Sequence, residues 1–177
     1  MIILPVSSAA LITASRSSGF TVNISSTRTL IPSFFNSYTS HYDLSNKSKE
    51  WIEKLIATYQ EQLSYGAEIV PLVSLFFTKE LQIDQEGMEF LKSDDSIKNT
   101  LNTFLNYLKD LETFTKDEIF ICIKETQKTA KVKGKLLYMP IRIATTGIMH
   151  GPDLAISLEL LGKDTVLDRL NQTIQKI

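Results

Sequence analysis

From Ser45 onward the apolar positions of this chain recur at intervals of three and four and show no alternating stretch, so the pattern predicts helices throughout. Ser45 reads as an N-cap for a first helix carrying Trp51, Ile52, Leu55, Ile56, Tyr59 and Leu63 and ending near Gly66. A second helix is predicted from about Ala67, with Ile69, Leu72, Val73, Phe76 and Phe77 on it. Pro71 is tolerable there because it falls in the first turn. A short helix follows from Gln85 to Leu91. Asp94, Asp95 and Ser96 then cap a longer one whose Ile97, Leu101, Phe104, Leu105, Leu108 and Leu111 form one apolar stripe. Thr115 and Glu118 make a capping box, with Asp117 adding charge in the first turn. From there Ile119, Phe120, Ile123 and Ala130 mark a helix reaching Val132, with Lys124, Lys128 and Lys131 on another face.

The segment from Lys133 to Leu170 holds most of the punctuation: Gly134, Pro140, Gly147, Gly151, Pro152 and Gly162 fall between short apolar runs. Helices this short are not stable alone and must pack on one another. Gly147 to His150 should close one helix through a glycine at positive φ. Gly151-Pro152-Asp153 should open the next, with Pro152 at the first helical position and Asp153 at the positive end of the dipole. The last helices are predicted over Pro152 to Leu161 and Asp164 to Ile177. The expected fold is all-α, with two small packed helical subdomains, 46–80 and 81–177, meeting between Phe77 and Ile83.

Residues 1–45 are compositionally foreign to this: dense in Ser and Thr, carrying Arg16 and Arg28, with no acid before Asp43. Such a segment is compatible with an organellar transit peptide or a weak secretion signal, although its first basic residue follows the apolar start instead of preceding it. It reads equally as an irregular N-terminal extension, or as a strand-forming appendage through the alternating run GFTVNI.

Composition narrows the chemistry. At 177 residues, 43% hydrophobic and 22% charged, the chain can build a substantial core of the kind found in soluble globular proteins. A net charge of -1 argues against wholesale binding of polyanions, so nucleic-acid contact would need a local basic face. The single cysteine, Cys122, excludes an intramolecular disulfide and sits in an apolar run as a small hydrophobe. No apolar stretch approaches the roughly 20 residues of a membrane span. Two histidines, His41 and His150, lie outside any metal or hydrolase motif, and no glycine-rich loop follows a strand to cradle phosphate. No convergent catalytic set is present. His150 reads as a loop residue.

The run MPIRIATTGIMHGPDL, followed by ELLGKDTVLDRL, resembles the C-terminal anticodon-binding region of bacterial-type glutamyl-tRNA synthetases, class I aminoacyl-tRNA synthetases. The resemblance extends from about Leu44 to Ile177, and LIPSFFNSY (Leu30 to Tyr38) is faintly similar to the helix just upstream. It implies a module that holds tRNA(Glu) for glutamylation, with Gly151, Pro152 and Leu154 approaching anticodon bases. Sequence-specific RNA reading uses unstacked bases packed on apolar or flat surfaces. A stiff Gly-Pro turn supplies such a surface at little entropic cost. Leu154 shares a helical face with Leu158 and Leu161, so a core role stands beside this one. Phosphates would meet the cluster Lys128, Lys131, Lys133, Lys135 and Arg142, with Arg142 lying inside the family motif. The lysines read equally as a solvated helix face.

The stretch Tyr59 to Thr78 resembles the family's helix-turn-helix, in which an arginine, where present, reads the last anticodon base; here Gln62 falls at that position. Glutamine is a weaker discriminator between C and G, with a donor and an acceptor to offer. The implied parent enzyme would therefore charge tRNA(Gln) as well as tRNA(Glu), unless Gln62 is plain helix surface. The family's His-Ile-Gly-His and Lys-Met-Ser-Lys-Ser signatures are missing, so the resemblance assigns ATP and Mg to a catalytic domain absent from this chain, which is expected to be inactive alone. A monomer is expected, in the cytoplasm or, if the extension is a transit peptide, in mitochondria. The competing expectation is a helical protein-interaction scaffold that binds no RNA.

Overall fold

The computed structural model describes residues 42–59, 69–78 and 80–177. Those residues form eight α-helices and no β-strand: α1 Lys49–Tyr59, α2 Ile69–Val73, α3 Gln85–Leu91, α4 Ser96–Lys109, α5 Lys116–Ala130, α6 Lys135–Thr146, α7 Leu154–Leu161 and α8 Lys163–Lys176. A single 3-10 turn, Ser74–Phe76, extends α2. The predicted end of the first helix near Gly66, the residue Gln62 and the GFTVNI run lie outside the described residues.

Local chemistry sets most helix starts. The Asp84 carboxylate caps α3 by accepting from the Gly87 amide at 2.7 Å, and Thr115 caps α5 by accepting from the Glu118 amide. Asp94 accepts from the Ser96 amide at 2.8 Å, as its place before α4 suggests. The cap of α1 differs from expectation. Asp43 accepts from both the amide and the hydroxyl of Ser45 in a local turn, and Ser48 instead accepts from the Trp51 amide at 3.2 Å. The helix consequently begins at Lys49.

Two apolar clusters hold these helices together. In the larger, Ile97, Leu101, Phe104 and Leu108 of α4 meet Ile119 and Ile123 of α5, Leu137 and Ile141 of α6, Leu158 of α7 and Leu170 of α8. In the smaller, Ile52, Leu55 and Tyr59 of α1 and Ile69 and Val73 of α2 close on Leu160 of α7. Full burial of each such side chain is worth about 1.5–3 kcal/mol. Phe76 packs against both clusters, and the Trp51 indole donates to the Leu160 carbonyl at 2.9 Å. Tyr42 stacks on Phe77 with ring centroids 4.4 Å apart and donates to the Val70 carbonyl.

Two positions depart from the periodicity reading. On α5 the inward line is Ile119, Cys122, Ile123 and Thr126, so Phe120, one residue off that line, points out and is 47% exposed beside Ile121 at 57%. The Lys124 ammonium lies 5.1 Å from the Phe120 ring. Pro140, expected as punctuation, lies inside α6 and is buried. It forfeits the hydrogen bond to the Leu136 carbonyl, a cost offset by complete burial of Leu137, Ile141, Ile143 and Ala144 around it.

Candidate nucleic-acid interface

The loop 147–153 between α6 and α7 is shaped by what stops one helix and starts the next. Gly147 takes φ 78° and donates to the Ile143 carbonyl at 2.9 Å, closing α6 in a left-handed cap. A Cβ there would sit 2.2 Å from the Gln82 carbonyl oxygen, so the loop begins hard against the connector joining the two clusters. At the other end Asp153 is the N-cap, accepting from the Ile156 amide at 2.9 Å. Pro152 thus precedes the cap instead of occupying the first helical position, and α7 starts at Leu154.

Arg142 reaches across from α6 and donates through Nη2 to the Pro152 carbonyl at 2.8 Å. Its Nη1 lies 3.1 Å from where a Cβ of residue 151 would be, so glycine there gives the guanidinium room that a larger residue would take up only if the arginine shifted by a few tenths of an ångström. The group is half-buried. Burial pulls its pKa below the usual arginine range, and the nearby Asp153 and Tyr59 partly restore it. Arg142 was expected to meet phosphate; here it is a strut behind the loop. The opposite edge faces solvent, with Ile148 41% exposed and His150, Gly151 and Asp153 exposed.

Leu154 is 6% exposed and packs in the larger cluster with Leu158 and Leu161. Of the two roles open to it, the core role is the one its burial fits, and the apolar groups the loop leaves at the surface are the exposed Ile148 and the partly exposed Pro152. The lysines are also displaced from the loop. Lys131 is the left-handed C-cap of α5, and Lys135 opens α6 with its ammonium 5.0 Å from the Phe90 ring. The 12 residues of α6 separate Lys135 from Gly147 by about 18 Å at 1.5 Å per residue. Lys128 pairs with Glu125 at 2.6 Å. Arg142 and the loop are brought together; Lys135, at the far end of α6, and Lys131, at the end of α5, are exposed.

Sequence reasoning missed Arg169, which is 1% exposed and bonded to three backbone carbonyls. A signal was present. Val166, Arg169, Leu170 and Thr173 share the buried line of α8, and a charge on an apolar stripe requires buried partners. Among the described residues no group of three or more acidic, histidine or cysteine side chains could hold a metal ion.

The anticodon binding domain family matches residues 27–174. The chain belongs to the anticodon-binding domain family. Its match begins well before Leu44, so part of what reads as a foreign extension lies within the domain. The chain is 52% identical over 133 residues to a glutamate–tRNA ligase of Bacillus licheniformis, covering 75% of this chain and 27% of that protein. It is 50% identical over 128 residues to the glutamate–tRNA ligase of Bacillus subtilis, covering 72% and 26%. The chain thus spans about a quarter of the length of the curated relatives it matches. A crystal structure of a glutamate tRNA ligase from Elizabethkingia meningosepticum shares the fold, with a TM-score of 0.72 at 19% identity over 84% of this chain and 29% of that one. An all-α anticodon-binding domain is therefore established.

Proposed function

We propose that this chain is the anticodon-holding part of a glutamate–tRNA ligase and that the loop 147–153 presents its exposed edge to the anticodon of tRNA(Glu). The observation that carries the reading is the strut: a loop braced from behind by Arg142 and capped at both ends keeps its backbone and the Ile148 edge in place before RNA arrives, which lowers the ordering cost of binding. Lys131, Lys133 and Lys135, about 18 Å away along α6, are spaced to meet phosphates of the flanking stem and not of the reading bases. Glutamylation, with its ATP and Mg2+, belongs on this reading to the part of the ligase that the chain does not match. The chain would act as a monomer in the cytoplasm; no helix among the described residues is long and apolar enough to cross a membrane. Neither the fold nor the relatives favour a scaffold role.

The experiment is a titration of the chain with a fluorescent tRNA(Glu) anticodon stem-loop at several salt concentrations. Binding that weakens with salt, and that an unrelated stem-loop does not reproduce, supports the reading; equal binding of both would end it. The wider reading, that tRNA(Gln) is accepted too, rests on Gln62. Gln62→Arg in an intact ligase should sharpen the choice between the two tRNAs, and an unchanged preference would retire it.

A further inference from the structure

Arg169 joins α8 to the end of α6 and to the 3-10 turn that continues α2. Its Nη1 donates to the Thr145 carbonyl at 2.7 Å, and its Nη2 donates to the carbonyls of Leu75 at 2.7 Å and Thr78 at 2.8 Å. Thr145 is the penultimate residue of α6, and Leu75 and Thr78 belong to the 3-10 turn and its exit. All three acceptors lie where helical ladders run out, at the negative ends of helix dipoles, so a buried cation is well matched to them. Burial lowers the guanidinium pKa, and among the described residues Nε has no partner and these carbonyls are the groups that hold the guanidinium. Independently, Gly147 lies so close to the Gln82 carbonyl that no side chain fits between the loop and the connector. The Thr173 hydroxyl adds a second contact from α8 to the end of α6, at the Ala144 carbonyl.

These contacts converge on one place, where Leu75, Thr78 and Gln82 meet the end of α6. We infer that Arg169 is a positioning residue that fixes the α1–α2 group relative to the loop 147–153, so that one anticodon loop can engage both; it touches no RNA itself. The inference rests on the function proposed above for its RNA half only. The geometric half concerns two named helical groups and needs no ligand. A planar fork offers donors on two separate terminal nitrogens, so it serves carbonyls from two directions, whereas an ammonium offers its three donors from a single nitrogen.

The test uses the full chain with Cys122→Ser and spin labels on cysteines introduced at the exposed positions Glu50 of α1 and Lys116 of α5. Arg169→Met keeps the volume and removes the donors; Arg169→Lys keeps the charge with fewer donors. We expect the label-to-label distance distribution to broaden in the Met variant and less in the Lys variant, while urea unfolding of both stays a single transition. Stem-loop affinity should fall about ten-fold in the Met variant, through the loosened placement of the two groups, with partial recovery in the Lys variant. If the Met variant does not fold, the Lys variant alone decides by the same two readings. A distribution as narrow as the parent's in the folded variants overturns the inference, as does full stem-loop affinity in a variant whose distribution has broadened. A parent chain that binds no stem-loop defeats the proposed function and leaves the distances to judge Arg169.

Discussion

The Arg142 guanidinium donates to the Pro152 carbonyl across the mouth of the α6–α7 loop at 2.8 Å, and the half-buried Arg side chain fills the space behind Gly151. The sequence places these residues ten apart, with a helix end between them; the fold makes one the support of the other. Arg142→Met should therefore cost about 1–2 kcal/mol through the lost charge-assisted bond. Amide exchange over residues 148–153 should rise more than elsewhere. Urea denaturation with hydrogen-exchange mass spectrometry measures both, and uniform exchange across the chain would contradict the strut.

Gly147→Ala should be among the most damaging single-methyl additions in the chain. The residue needs positive φ, and the new Cβ would meet backbone, not a side chain that can swing away. A loss of about 3 kcal/mol or more is expected, in the range reached only by strained or overpacked sites. Thermal unfolding followed by circular dichroism reads it.

Lys131 offers the opposite sign. It is the one non-glycine residue at positive φ among the described residues, at φ 57°, and its side chain is exposed. Lys131→Gly should stabilise by about 1 kcal/mol because glycine carries no left-handed penalty at a C-cap. If Lys131 also meets a phosphate, the same variant should bind the stem-loop more weakly and with a shallower salt dependence. Stability and affinity would move in opposite directions.

Tyr59 makes stability depend on alkaline pH. Its phenol lies in the α1–α2 cluster, where burial pushes its pKa from 10.0 to about 12, with the Arg142 charge pulling the other way. The folded state therefore holds the proton more tightly than the unfolded one. Its contribution is fully present below pH 10 and is lost as pH rises towards 12, by about 2–3 kcal/mol in all. Lysines titrate in the same window, so the measurement is the difference between parent and Tyr59→Phe in urea midpoints at pH 9 and 11.5. The parent should lose more; parallel losses would remove Tyr59 as the cause.

Cys122 should be a silent thiol. It is buried in the larger cluster, and burial, together with the carboxylates of Glu118, Asp110 and Glu125, pushes its pKa up. Reaction with an aromatic disulfide reagent should be slow on the folded chain and fast in denaturant. Rapid native reaction would show that α5 opens easily.

Helix existence was legible because it depends on neighbours in sequence. The stripe from Ile97 to Leu108, the Thr115 cap and the Gly147 stop each combine a periodic apolar run with a terminus whose unpaired backbone groups need a particular residue close by. The same local rules went astray where two candidates competed. Ser45 was taken up by Asp43 and left Ser48 to cap α1, and Asp153 rather than Pro152 set the start of α7. Phe120 illustrates the limit of periodicity, since the run of five apolar residues from Ile119 to Ile123 on α5 does not say which three face inward.

The chain's own order of residues determined that it is a set of short helices, where most begin and end, and which motif marks its family, because propensity, capping and periodicity act within a few residues. Tertiary structure alone decided the roles of the charged groups. Lys135 and Arg142 are seven residues apart, yet one opens α6 in solvent while the other braces a loop near its far end. Arg169 was put against carbonyls 24, 91 and 94 residues away in sequence. A long side chain's partner is set by whichever backbone groups the fold leaves unpaired within its reach, and those are known only once the helices have packed.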